Sequence, residues 1–262
     1  MSEPTLAIRE LEVRFGERRV VAVERLDVHR AEIVGLAGES ASGKSTTALA
    51  VLGLAQTFGG KVRGSIRLEG EELVGAPERR MREVRGSRVT MIFQSPVSSL
   101  DPLRRVQVVF ERALRLHGAS KAEARERAEA ALREVLLSAE LLRRYPHQLS
   151  GGQAQRVAIA MALALRSEVL IADEPTSALD VTVQAEIFEL LRHLREERRI
   201  SILFISHDLA ALAELCDRIA VMRRGEVVEE GPAARVLASP MHPYTKELVA
   251  AVPKIGSGAD VS

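Results

Sequence analysis

The chain has 262 residues, of which 46% are hydrophobic and 28% charged, and its formal net charge is +1. This composition is typical of a globular protein with one large domain, and the near-zero charge gives no global attraction to nucleic acid, so we expect no nucleic-acid partner. Cys216, the single cysteine, excludes an internal disulfide and a multi-cysteine metal site. The longest uncharged apolar run, near 157–165, is too short to span a membrane, so any action at a membrane would need partners.

The first part of the chain has the pattern of β-strands. Apolar and polar residues alternate through 5–35 and again through 64–70, and 16–19 has the composition of a turn. We expect a mostly antiparallel sheet here. Phe15 stands just before the turn, where it is either a core aromatic or a ring that stacks on the base of a ligand.

Between these strands lies a segment that reads G-x-x-x-x-G-K-S. A buried strand over 32–37 enters it, and a helix over 47–52 leaves it. Backbone N–H groups of such a loop wrap phosphate oxygens, while Lys44 can reach the β- and γ-phosphates and Ser45 can offer its hydroxyl to Mg²⁺. The sequence therefore predicts a nucleoside triphosphate site formed by Gly38, Glu39, Ser40, Ala41, Ser42, Gly43, Lys44, Ser45 and Thr46.

A short apolar strand over 89–93 ends at Gln94, a polar residue at the edge where open α/β sheets bind ligands. From 104 to 144 the chain is rich in Ala, Leu, Arg and Glu, with apolar residues at helical spacing. We interpret this part as a helical insert. Its charged runs indicate solvated helix faces rather than a binding patch.

The insert is followed by Leu-Ser-Gly-Gly-Gln at 149–153 and by a predicted helix from Ala154 to about Leu165. A Ser-Gly-Gly entry to a helix is either an ordinary helix cap or a second anion cradle with free N–H groups and a hydroxyl. Beside a phosphate-binding loop we favour the cradle. Its predicted residues are Ser150, Gly151, Gly152 and Gln153.

A second apolar strand, 169–172, runs directly into Asp173 and Glu174. Two carboxylates that follow a buried strand are typical of the acidic end of a nucleotide site, although a surface pair is the alternative. Asp173 is placed to hold Mg²⁺, directly or through water. Glu174, one residue further, is placed to polarise a water molecule in line with the γ-phosphate.

The remaining elements follow the same pattern. Residues 177–180 lead into a helix, Thr182–Arg198, and the strand 200–205 ends near His207, at the same edge as Gln94 and Asp173. A contact of His207 with the γ-phosphate is therefore predicted. A hairpin at 219–229 and a short amphipathic helix over 243–252 close the chain, and a loose tail follows.

The order of these motifs resembles the nucleotide-binding subunit of ABC transporters over nearly the whole chain. The resemblance implies an α/β fold: a P-loop NTPase core with a mostly parallel sheet, an N-terminal antiparallel β subdomain and a helical insert. It implies one ABC ATPase domain over 1–255, with the core and β subdomain at 1–95 and 166–255, the helical subdomain at 96–165, and a loose tail at 256–262.

The resemblance also assigns roles and cofactors. It implies ATP and Mg²⁺, with Phe15 stacked on the adenine, Gln94 as the Mg²⁺ and water ligand, Glu174 as the general base and His207 as the γ-phosphate sensor. Ser45, Gln94 and Asp173 are the implied metal ligands. In this family the Ser-Gly-Gly motif serves the ATP that the opposite subunit holds, so the chain would act as a homo- or heterodimer.

A narrower similarity is to the ATPases of dipeptide, oligopeptide and nickel importers. It rests on four segments: 91–96, 99–102, 180–185 and 242–248. Three departures are Ser95, Ala154 and Ala41; the last stands where Gly is usual, and we expect it to be tolerated if its φ is negative.

This similarity implies an importer ATPase at the cytoplasmic face of the inner membrane, attached peripherally to permeases that it grips beside 94–102 and indirectly linked to a solute-binding protein. The alternative is a soluble ABC-type ATPase docked on an enzyme complex such as carbon–phosphorus lyase. An ABC ATPase of DNA repair or translation, and a small-molecule P-loop kinase, fit less well.

Overall fold

The computed structural model describes residues 3–94, 100–177 and 179–251. Over these residues the strands form a four-stranded and a six-stranded sheet. In chain order they are β1 (Leu6–Phe15), β2 (Arg18–Val28), β3 (Ile33–Ala37), β4 (Gly60–Leu68), β5 (Glu71–Glu72), β6 (Val89–Ile92), β7 (Val169–Asp173), β8 (Ser201–Ser206), β9 (Arg218–Arg223) and β10 (Glu226–Pro232).

Helices are observed where the sequence predicts them, and three further helices, at 78–84, 209–215 and 233–238, were not predicted. The predicted helices Thr182–Arg198 and Ala154–Leu165 are observed with slightly earlier starts, because Asp180 and Ser150 act as their N-caps. In chain order the α-helices are α1 (Lys44–Val51), α2 (Glu78–Val84), α3 (Val106–Leu116), α4 (Lys121–Glu134), α5 (Gly151–Leu165), α6 (Val181–Arg198), α7 (Leu209–Leu215), α8 (Ala233–Ala238) and α9 (Pro243–Ala250).

The six-stranded sheet, in the order β10-β9-β3-β8-β7-β6, is the core of the molecule. All neighbouring pairs from β9 to β6 are parallel, and only β10 pairs antiparallel, with β9. Both faces of this sheet are covered, which is why its strands read as continuous apolar runs. In β8, Ile202 and Phe204 face one hydrophobic cluster, and Leu203 and Ile205 face the other.

The second sheet, in the order β2-β1-β4-β5, is antiparallel. Its apolar face packs with α1 and α2 against one side of the core sheet. Helices α3 to α7 pack against the other side, joined there by α8 and α9. The predicted fold class, a mostly parallel core with an antiparallel β subdomain and a helical insert, is confirmed.

Several predictions fall on residues that the structure does not describe: Ser95, Pro96 and Ser99 of the importer-like segments, Ala178, and the tail at 256–262. The subdomain boundaries at 96 and 165 stay predictions. Among the described helices, none has the length and apolar character needed to cross a membrane.

The phosphate-binding loop connects β3 to α1 through two positions with unusual backbone conformation. Gly38 has φ +148°, and a Cβ there would lie 2.3 Å from the carbonyl oxygen of Met222, so only glycine lets the loop pass β9 so closely. Ala41 has φ +63°. The condition under which Ala41 should be tolerated, a negative φ, is therefore not met: the loop imposes the left-handed conformation that glycine adopts at no cost, and the alanine carries the strain.

Replacement of Ala41 by glycine is expected to stabilise the nucleotide-free protein. The variant removes the strain of an alanine in the left-handed conformation, and this effect exceeds the cost of the greater conformational entropy that glycine gives the unfolded state. The free energy of unfolding should therefore rise by about 0.5–1 kcal/mol. Ser40→Gly is the matched control, because Ser40 is not among the residues with positive φ, and we expect it to lose about 0.5–1 kcal/mol. Urea unfolding measures both, and an Ala41→Gly variant as destabilised as Ser40→Gly would contradict the strain.

Candidate nucleotide-binding site

The register of the core sheet brings the predicted polar residues to one edge. Ala37, the last residue of β3, pairs with Ser206 of β8, and Asp173 of β7 pairs with Ile205. Ile92 at the end of β6 pairs with Ala172. The residues that follow these strands, including the phosphate-binding loop, therefore lie together at the carboxyl edge of the sheet, where parallel α/β sheets bind ligands.

A cavity of about 310 Å³ opens at this edge. The loop and the start of α1 form its floor, the β1–β2 hairpin contributes one wall, and polar residues after β6 and β7 contribute another. Its lining consists of Arg18, Val20, Ser40, Ala41, Ser42, Gly43, Lys44, Ser45, Thr46, Gln94 and Glu174. Half of the predicted site residues therefore share one cavity, although they come from distant parts of the sequence.

Lys44 is buried in the loop, with 6% of its surface exposed. Its ammonium donates hydrogen bonds to the carbonyl oxygens of Gly38 (2.7 Å) and Glu39 (2.8 Å). Burial lowers the pKa of Lys44, and the charges of Glu174 and Asp173 oppose that shift. The site thus holds a partly desolvated cation whose hydrogen-bond donors face backbone oxygens, an arrangement that favours an incoming polyanion.

Asp173 is also buried, with 4% of its surface exposed. Burial raises the pKa of its carboxyl; the Ser45 hydroxyl and the charge of Lys44 act in the opposite direction. A buried carboxylate beside a hydroxyl offers the oxygen donors that Mg²⁺ prefers, and a cation there would offset the cost of burying the charge. The chemistry of Ser45, Asp173 and Gln94 therefore fits the predicted metal.

Glu174 lies between the two other predicted catalytic residues. Gln94 Nε2 donates to Glu174 Oε2 (2.9 Å), and His207 Nδ1 lies 2.9 Å from Glu174 Oε1. Both carboxylate oxygens are therefore oriented by polar side chains from neighbouring strand ends. The structure brings Gln94, Glu174 and His207 into direct contact at the mouth of the cavity.

The backbone of Glu174 is held by a residue that sequence reasoning missed. Glu174 has φ +48°, an unfavourable conformation for a residue with a side chain. Fully buried Gln155, on α5, donates its amide N–H groups to the carbonyl oxygens of Glu174 (3.3 Å) and Pro175. The hydroxyl of Ser177 also donates to the Glu174 carbonyl (3.1 Å). Since α5 also carries Gln153 and Arg156, no signal in the sequence singled out Gln155 for this contact.

A second missed contact braces the loop from the β9–β10 turn. The N–H of Gly225 donates to the carbonyl oxygen of Ser42 (2.8 Å), and its carbonyl accepts from the N–H of Ala22 in β2 (2.7 Å). A Cβ at Gly225 would lie 2.5 Å from the Val20 carbonyl oxygen. Backbone contacts thus join the loop to β2 and to the β9–β10 turn, which are distant in sequence, and no side-chain motif predicts these contacts.

Phe15 lies beside the cavity and not among its lining residues. It is half-buried at the end of β1, where it pairs with Arg18 and Gly60, and a Cβ on Gly60 would lie 3.2 Å from its ring. Arg18 and Val20 of the same hairpin reach the cavity instead. The stacking of Phe15 on adenine stays a prediction.

The Ser-Gly-Gly motif also lies outside this cavity. Ser150 caps α5 in a reciprocal arrangement: its hydroxyl accepts from the Gln153 N–H, and the Gln153 side chain accepts from the Ser150 N–H. Gly151 is exposed, and a Cβ on it would meet no described atom within 4 Å. The motif therefore acts as a helix cap and leaves an open helix start at the exterior, and the anion cradle stays a prediction.

Comparison with known families matches two parts of the chain. The ABC transporter family matches residues 23–177, and the oligopeptide/dipeptide transporter C-terminal region matches residues 228–262. The first match spans the loop, the Ser-Gly-Gly motif and both carboxylates. The second begins in β10 and contains α9.

Curated relatives share these features at substantial identity. A putative peptide import ATP-binding protein of Brucella abortus is 46% identical over 87% of this chain and 70% of its own length. A probable D,D-dipeptide transport ATP-binding protein of Escherichia coli is 43% identical over 98% of this chain and 80% of its own length. A peptidoglycan transport ATP-binding protein of Agrobacterium fabrum is 46% identical over 97% of this chain, which spans only 48% of that relative.

Solved structures agree in fold. A dimeric ATP-binding cassette in a post-hydrolysis state, bound to ADP and Pi, matches 87% of this chain and 98% of its own, with a TM-score of 0.79 and 29% sequence identity. A component of the cbiONQ ABC transporter complex from Clostridium perfringens matches 97% of this chain and 98% of its own, with a TM-score of 0.77 and 26% identity. From the motif order, the shared cavity and these matches together, we conclude that the chain belongs to the ABC transporter family and is one of its ATP-binding cassettes.

Proposed function

We propose that this chain hydrolyses ATP at a dimer interface and thereby drives uptake of peptides, nickel or a similar small solute through partner permeases. The observation that carries the proposal is the oriented carboxylate of Glu174 at the mouth of a cavity whose floor is the phosphate-binding loop. An oriented base beside a polyanion site is what hydrolysis of a phosphoanhydride requires.

The loop binds the phosphates in this proposal. The N–H groups of 40–46 and the positive end of α1 attract the β- and γ-phosphates, and Lys44 exchanges its backbone partners for phosphate oxygens. Burial removes the Lys44 ammonium from water, and a bound anion would replace the favourable electrostatic interaction that the ammonium loses there. The adenine lies toward the β1–β2 hairpin, on the side of Phe15 and Arg18.

Glu174 is the general base that accepts a proton from the attacking water. Gln94 and His207 hold its two oxygens, so the carboxylate has a fixed orientation before substrate arrives. His207 then contacts the γ-phosphate. Ser45, Gln94 and Asp173 would hold Mg²⁺, which supplies charge neutralisation at the phosphate oxygens.

The Ser-Gly-Gly motif is proposed to act in trans. Since residues 150–153 lie outside the chain's own cavity and present an open helix start, they are free to bind the γ-phosphate held by a second cassette. Two cassettes, identical or paralogous, then close head to tail around two ATP molecules. Hydrolysis removes the γ-phosphate that both halves share, and the halves separate.

The importer assignment is supported by the relatives. The Brucella and Escherichia relatives are described as peptide import and D,D-dipeptide transport proteins, and the match at 228–262 is to the oligopeptide/dipeptide transporter C-terminal region. The chain would therefore work peripherally at the cytoplasmic face of the inner membrane with two permeases and, indirectly, a solute-binding protein.

Co-purification separates the importer from a soluble ABC-type ATPase docked on an enzyme complex. We expect the tagged chain, extracted from its native cells in mild detergent, to bring down integral membrane permeases in fixed ratio. A matched extraction without detergent should lose them. Isolation of soluble enzymes alone in both extractions would contradict the importer and favour the docked ATPase.

Replacement of Glu174 by glutamine is expected to abolish hydrolysis and retain ATP binding. A positioned general base contributes about 10²- to 10⁴-fold, so turnover should fall at least about 100-fold while the Kd for Mg·ATP changes less than about threefold. Glu168→Gln is the matched control, since Glu168 is exposed just before the same strand. Wild-type turnover in Glu174→Gln would overturn the assignment of the base.

Gln155→Leu tests the support of that base. Leucine fills a similar volume but donates nothing to the Glu174 and Pro175 carbonyls, so we expect kcat to fall about tenfold with the Kd for Mg·ATP within about twofold. Gln107→Leu, which removes an amide paired with Glu111 on α3, should leave both constants unchanged. An unchanged kcat in folded Gln155→Leu protein would show that the buried amide does not position the base.

A further inference from the structure

The segment before and within α9 contains a tyrosine that the proposed mechanism does not use. Tyr244 is buried, with 2% of its surface exposed. Its hydroxyl accepts a hydrogen bond from the backbone N–H of Glu39 at 3.1 Å, and Glu39 is the second residue of the phosphate-binding loop. The last described helix of the chain thus touches the loop that binds the phosphates.

The Tyr244 ring is fixed from its other side by β9. The guanidinium carbon of Arg223 lies 4.5 Å from the ring centroid, which is the distance of a cation–π contact. Burial raises the pKa of the Tyr244 hydroxyl, so the group stays protonated at neutral pH. The ring is therefore held in one place, and the position of its oxygen is defined.

The start of α9 is anchored by Glu229 of β10. The Glu229 carboxylate accepts from the N–H groups of Met241 (3.0 Å) and His242 (2.9 Å) and pairs with Arg235 (3.2 Å). His242 Nδ1 in turn accepts from the Tyr244 N–H at 3.2 Å. Although burial opposes it, these hydrogen bonds hold the pKa of Glu229 below its usual value, so the anchor stays charged. The tyrosine is thus attached to the core sheet through its backbone as well as its ring.

Glu39 is held at both of its backbone groups. Its carbonyl oxygen accepts from Lys44, and its N–H donates to Tyr244. When Lys44 turns to a phosphate, as the proposed function requires, the first of these bonds is given up. The bond to Tyr244 involves no group that contacts phosphate, so it can persist and keep the loop in place.

We propose that Tyr244 is a positioning residue for the nucleotide: through Glu39 it fixes the start of the phosphate-binding loop while Lys44 binds phosphate. The inference rests on the proposed function. The His-Pro-Tyr segment at 242–244 would then contribute to nucleotide affinity through the hydroxyl of Tyr244.

The test is Tyr244→Phe, with Tyr145→Phe as the matched control. Tyr145 is the other tyrosine of the chain and lies against His147 and Arg105, away from the loop. Because the hydroxyl acts on the loop before and after hydrolysis, Tyr244→Phe should raise the Kd for Mg·ATP and for ADP by the same factor, about three- to tenfold, with kcat at saturating ATP unchanged within about twofold. Tyr145→Phe should change none of these constants.

A second readout avoids any question of folding in Tyr244→Phe. The chain has two tyrosines and no tryptophan, so 3-fluorotyrosine labelling of Tyr145→Phe protein leaves one ¹⁹F signal, from Tyr244. We expect that signal to shift on addition of Mg·ATP. An unshifted signal, or a folded Tyr244→Phe protein with wild-type affinity for both nucleotides, would overturn the inference. Failure of the wild-type chain to bind ATP would instead overturn the proposed function.

Discussion

The site depends on burying a cation and two carboxylates at one edge of a parallel sheet. Lys44 and Asp173 are almost fully buried. Burial lowers the pKa of Lys44 and raises the pKa of Asp173, so it favours the neutral form of each. Their mutual attraction offsets part of this cost, while the charge of Glu174 favours the charged form of Lys44 and disfavours that of Asp173. The parallel register of β3, β8, β7 and β6 makes the arrangement possible, since it ends each strand at the same level. A divalent cation would offset the excess negative charge of the two carboxylates.

Segments far from the loop in sequence determine its shape. The β9–β10 turn bonds to Ser42, and Met222 of β9 packs so close to Gly38 that no side chain fits there. Tyr244 holds Glu39. The loop is therefore supported from the C-terminal third of the chain. The family match at 228–262, which includes α9, contains one of these supports. This placement explains why a region outside the ATP motifs can matter for the ATP site.

The sequence was sufficient for the fold and for most residues of the cavity, because each functional residue follows a recognisable apolar strand or opens a helix. Gln94, Asp173, Glu174 and His207 share an edge for that reason. It was insufficient where the contact joins elements that no local pattern relates: Gln155 with Glu174, and Tyr244 with Glu39. It also left the φ of Ala41 open, because the dihedral angle is imposed by the path of the loop and not by the residue that occupies it.

In the proposed mechanism, ATP held by one cassette is capped by the Ser-Gly-Gly motif of another. The most direct test of this capping is sedimentation of Glu174→Gln protein, alone and with the cassette that co-purifies with it. We predict monomers without nucleotide and dimers with Mg·ATP. The monomer can accommodate Gly151→Arg, because a Cβ there meets no described atom within 4 Å. We predict that adding this substitution abolishes the dimer while ATP still binds. ATP-loaded cassettes that remain monomeric, or that pair equally well with Gly151→Arg present, would contradict the account.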